Sequence, residues 1–133
     1  MATAEQPDRP PESLGSNPDI RTERSARIIR TRSYLTQVNG YERYARMKGE
    51  VDPEEWHNHS AAKKQVLEAI GKLPPVDQEI LEVAFPTDGA PIPDLENEGT
   101  RDGMAETFGV QRPGELHREV DESLERLGNI LYA

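Results

Sequence analysis

The chain is expected to fold as an all-α protein, and three observations carry that expectation. Leu116, Val120, Leu124, Leu127 and Leu131 recur at steps of three and four residues, which places them on one face of an α-helix. Asp52-Pro53-Glu54-Glu55 has the composition of a helix start: a capping aspartate, a proline whose missing N–H is not needed in the first turn, and acids facing the positive end of the helix dipole. No stretch alternates apolar and polar residues in the manner of a half-buried strand.

Taken in order, residues 1–20 are proline-rich with almost no large apolar side chain and read as a disordered tail. Residues 21–50 read as a basic helical segment, with Ile28, Leu35, Val38, Tyr41, Tyr44 and Met47 at roughly helical spacing among arginines and a break expected near Asn39-Gly40. Residues 51–133 read as a helical domain. Its first helix should run from Asp52 to about Lys72 on a stripe of Trp56, Val66, Leu67, Ile70 and Leu73. Pro74-Pro75 ends that helix and opens the next, Val76 to Phe85, with Ile80, Leu81, Val83 and Phe85 as core candidates. Pro86 to Thr100, rich in prolines, glycines and acids, should be a long exposed excursion that tolerates shortening. A short helix from Asp102 to Phe108 follows, closed by Gly109, with Val110 tucked inward; the last helix begins near Pro113. Ile80, Leu81, Met104, Phe108, Val110, Leu116, Val120 and Leu124 should share one core.

Composition narrows the functional classes. With 34% hydrophobic and 31% charged residues the core must be small. There is no cysteine, which excludes disulfides, thiolate metal sites and cysteine nucleophiles. The absence of a long apolar run and of a signal-like N-terminus leads to an expected cytoplasmic location without membrane contact. The net charge of −9 is unevenly spread: −3 over residues 1–20, +6 over 21–48 and −12 over 49–133. Nucleic-acid affinity comes from cations that displace condensed counterions, so a phosphate-facing surface would have to draw on the middle segment or on a local patch. Arg27, Arg30, Arg32, Arg43 and Arg46 are therefore candidates for contact with a nucleic-acid backbone or a partner.

A short helix, a glycine turn and a longer amphipathic helix form a helix-turn-helix in the physical sense. The text adds to this. Leu73-Pro74-Pro75-Val76-Asp77 through Phe85, then Met104-Ala105-Glu106-Thr107-Phe108-Gly109-Val110, then Pro113-Gly114-Glu115-Leu116 with Val120, Leu124, Arg126 and Leu127, resemble in order the blocks of region four of bacterial sigma factors, especially the extracytoplasmic-function group. The N-terminal rhythm around Tyr34-Leu35 and Tyr41-Glu42-Arg43-Tyr44 is loosely similar to small phage-encoded late-operon regulators. The chain departs from the family in three ways. Its Pro86–Thr100 link is longer, one extra residue sits in the turn, and Glu115, Glu119, Asp121 and Glu122 stand where bases or hydroxyls are usual. Nothing resembles region two, so a complete sigma factor is not expected.

The resemblance implies a DNA-binding transcription regulator, of phage or mobile-element origin, working with RNA polymerase or as a homo-oligomer. Its DNA-reading side chains would be Gln111, Arg112, His117 and Arg118 at the turn and the start of the last helix. The rival expectation is a protein–protein adaptor or virion component that keeps the scaffold without binding DNA. No enzyme signature, cofactor or metal site is read: His57 and His59 are two residues apart, about 200° around a helix, where chelation favours three or four. The chain has no phosphate loop and no nucleophile elbow.

Overall fold

The computed structural model describes residues 18–133, with side chains from residue 22 onward. Among them are five α-helices and a single 3₁₀ turn: α1 (Pro18–Lys48), α2 (Pro53–Ile70), α3 (Pro75–Ala84), α4 (Glu98–Thr107), the turn Pro113–Glu115, and α5 (Leu116–Leu131). No described residue lies in a strand. The expected tail falls outside the described residues except for its last three positions, which already belong to α1.

α1 is one continuous helix of 31 residues, so the expected break at Asn39-Gly40 is overturned. Asn39 is buried, and its Nδ2 donates to the carbonyl oxygens of Pro86 (2.6 Å) and Ala90 (2.8 Å). An asparagine whose amide is satisfied from another part of the chain has no need to compete with its own backbone, and the helix runs through it.

α2 begins as its sequence dictates. The Asp52 carboxylate accepts from the Glu55 N–H at 3.0 Å, with Pro53 in the first turn. Val66 and Ile70 face inward and Leu73 follows them, whereas Trp56 and Leu67 stay about half exposed. α3 buries Ile80, Leu81 and Ala84, and Phe85 just beyond it; Val83 points outward. α4 starts four residues earlier than its apolar spacing implies, because the Asn97 side chain caps the Thr100 N–H at 3.0 Å.

The end of α4 follows from Gly109. Its φ of +72° is left-handed, and the chain closes with Gly109 N–H on the Glu106 carbonyl (3.2 Å) and Val110 N–H on the Ala105 carbonyl (2.8 Å). That bond pattern satisfies the last carbonyls of the helix and turns Val110 toward the core. α5 then lays Leu116, Val120, Leu124 and Leu127 into the interior, each at most 3% exposed. Burying a side chain of this size stabilises the fold by about 1.5–3 kcal/mol.

One core results. Ile80, Leu81, Met104, Leu116, Val120 and Leu124 belong to it, with Phe108 and Val110 packed against it, as the apolar spacing requires. Ile28, Leu35 and Val38 of α1 are part of the same cluster, so α1 is built into the core rather than appended to it. It meets α5 tightly at Gly128, where a Cβ atom would lie 2.6 Å from Thr31 Oγ1 and 2.9 Å from Arg27 Cγ. Only a residue without a side chain lets the two helices meet there.

The stretch after α3 stays at the surface, with no residue of 86–97 buried, but it is not a free excursion. Besides the two bonds from Asn39, Arg43 reaches the carbonyls of Gly89 (3.2 Å) and Ala90 (3.3 Å), while Ile92 and Leu95 pack against the core. Residues 86–97 form a strap held across α1. No helix of the described residues is long and apolar enough to cross a membrane.

Candidate nucleic-acid interface

The buried face of α5 leaves its opposite face, and the turn before it, to solvent. Gln111, Arg112, His117 and Arg118 are all exposed. Pro113 starts the 3₁₀ turn, whose Glu115 N–H returns to the Arg112 carbonyl at 2.8 Å, and this fixes Arg112 directly ahead of the first turn of α5. Arg112 and Arg118 come together around one acid: Glu115 lies 3.6 Å from the Arg112 guanidinium and 3.0 Å from that of Arg118. Their side chains remain 83% and 63% exposed, so both cations can reach a ligand while sharing that carboxylate. His117, one residue and about 100° away, turns instead toward Arg32, the strap and Val120. The structure thus groups Arg112 and Arg118 with the adjoining Gln111 and sets His117 apart.

Arg24, Arg27, Arg30, Arg32, Arg43 and Arg46 of α1 all have partners within the chain. Arg24 pairs with Glu125 at 2.9 Å, Arg27 donates to Asn129 Oδ1 at 2.7 Å, and Arg32 pairs with Asp121. Arg30 lies over the Tyr132 ring at 4.1 Å. This is where the charge asymmetry of the sequence goes: the basic helix lies against the acidic last helix. Arg43 holds the strap, and Arg46 reaches Glu42 at 3.3 Å within α1. Exposed pairs of this kind contribute about 0–1 kcal/mol each. They fix how α1 sits on α5 more than how tightly it is held.

Two buried carboxylates escaped the reading of the sequence. Asp77, one letter of the motif that opens the resemblance, is 2% exposed. Arg126 donates to it from Nε (2.8 Å) and Nη2 (2.9 Å), and Ser123 Oγ donates at 2.7 Å. The Arg126 guanidinium, with Ser123, holds the Asp77 carboxyl below its usual range against the opposing effect of burial. This clamp fastens α3 to α5. The signal available in the sequence was a pair of motif letters, Asp77 and Arg126, that no spacing argument would connect.

Glu42 is the second. Burial alone would raise its carboxyl, but contacts from His59 (2.7 Å), Lys63 (3.2 Å) and Arg46 outweigh burial and leave it lowered. His59 is itself buried, with the Tyr41 and Trp56 rings at 4.8 and 5.3 Å. Its role in the structure is to join α2 to α1. His57 is exposed, and no group of three or more histidine, aspartate or glutamate side chains among the described residues is arranged to hold a metal ion.

No protein family, no characterised protein and no solved structure matches this chain.

Proposed function

We propose that the chain is a non-enzymatic transcription regulator that contacts DNA through a sigma region-four-like helix-turn-helix, α4 to α5. The observation that carries this reading is the division of α5 into two faces. Leu116, Leu124 and Leu127 are wholly buried, while Gln111, Arg112 and Arg118 project from the turn and first turn of the same helix. A helix-turn-helix meets the major groove with the N-terminal residues of its second helix, and arginine and glutamine there are the side chains that read guanine and adenine edges. The Asp77–Arg126 clamp gives further support, since it joins the first and last blocks of the family resemblance and would hold the reading helix rigidly on its scaffold.

The contact is narrow. Two arginines sharing Glu115 make few phosphate neutralisations, so useful affinity calls for RNA polymerase or a second copy bound alongside. The test is binding of the intact chain to a pool of genomic fragments at two salt concentrations. A selected fragment should be preferred at low salt, and Arg112→Ala should weaken that preference by about 1–3 kcal/mol. No preference for any fragment, with Arg112→Ala indistinguishable from the parent, would overturn the reading.

One observation favours a second reading, that of a protein–protein adaptor or assembly component. Glu115 already neutralises part of both exposed arginines, and Arg24 and Arg32 of α1 are paired with acids of α5. On that reading the same surface meets a protein, and the fragment pool yields nothing.

A further inference from the structure

The strap that departs from the family pattern encloses something. Between it, α1, the end of α3 and α5 lies a cavity of about 370 Å³, within the size range of sites for small organic ligands. Its apolar wall is formed by Phe85, Ile92, Leu95 and Val120. Arg32 and His117 are the only ionisable side chains of its lining, and no acid lines it.

We propose that this cavity binds a small organic acid, an apolar body in contact with Phe85, Ile92 and Leu95 and a carboxylate directed to Arg32 and His117. Three features support an anionic head on an apolar ligand. Arg32 meets Asp121 through Nη2, which leaves other guanidinium N–H groups free to donate. The imidazole of His117 donates at least one N–H in any protonation state. The cavity wall is held open rather than collapsed on itself, because Asn39 and Arg43 fasten the strap to α1 by its backbone carbonyls at 86, 89 and 90. A preformed apolar site with a few convergent polar groups is the usual form of a small-molecule pocket.

The inference does not depend on DNA binding, and its failure would leave that reading intact. It is tested on the full chain by following backbone amide resonances during titration with 4-phenylbutyrate and, separately, with its neutral amide. The acid should give saturable shifts concentrated on Thr36, Leu95 and Val120, and the amide should bind at least about tenfold more weakly. Thr36 lines the cavity and is exposed, so Thr36→Trp should fill the site without disturbing the core and abolish the shifts. Arg32→Gln should bring the affinity for the acid down to that of the amide. Shifts that do not saturate, equal binding of acid and amide, or titration unchanged by Thr36→Trp would each overturn the proposal.

Discussion

The chain carries two sets of arginines that look alike in the sequence and differ in use. Arg24, Arg27, Arg30 and Arg32 face α5 and meet its acids, an amide and an aromatic ring; Arg112 and Arg118 stand at the start of α5 and share a single glutamate. The difference is one of partner distance. Each of these four arginines of α1 finds its partner about a hundred residues away, whereas Arg112 and Arg118 find theirs three residues away. A cluster of positive charge therefore says nothing about a polyanion until the fold shows what lies opposite.

If α1 belongs to the core, its removal should have the largest effect of any change. A chain beginning at residue 49 loses Ile28, Leu35 and Val38 from the shared cluster and uncovers the back of α5. It should show no cooperative thermal transition by circular dichroism. A truncated chain that melts cooperatively near the parent temperature would restore the division into a basic arm and a separate domain.

Leu124→Ala strikes the helix on which both sets of arginines depend. It should lower unfolding free energy by about 2–5 kcal/mol in a denaturant titration, a large share of what a domain of this size has. Arg126→Ala tests the clamp. It leaves the buried Asp77 with Ser123 alone and should cost about 3 kcal/mol at neutral pH, a loss that Asp77→Asn should partly avoid by removing the charge itself.

Asp77 and Glu42 both have folded-state values below their ordinary 3.8 and 4.5. A depressed carboxyl stabilises the fold above its unfolded value and loses that contribution as pH falls through the folded one. Stability should thus decline as pH drops below about 4, and Asp77→Asn should flatten that decline. At the small end, Arg24→Ala should change stability by about 0–1 kcal/mol and leave the proposed DNA binding unaltered.

Local chemistry was legible, and long-range partners were not. Asp52-Pro53 specifies its helix start, Gly109 its helix end, and the leucines of α5 their buried face, because each depends on residues within a turn or two. Asn39-Gly40 misled for the complementary reason: the strap carbonyls that satisfy Asn39 lie 47 and 51 residues away. The strap itself was expected to be free because prolines and acids do not bury; Ile92 and Leu95 are what tie it down. Of the candidate interface, the exposed placement of Arg118 follows from helix periodicity, and that of Gln111 and Arg112 from their place in the polar turn ahead of α5. The place of the exposed His117 beside Arg32 and the strap, on the rim of one cavity, follows from packing that no spacing describes.

On the proposed function, Arg112 and Arg118 are the cations that meet DNA, with Glu115 restraining both. The direct measurement is the salt dependence of binding to a selected fragment for the parent chain and for Glu115→Gln. Releasing two arginines should raise affinity at low salt and steepen the slope of log K against log salt by about one to two units. An unchanged affinity and slope in Glu115→Gln would contradict the assignment of this surface to DNA.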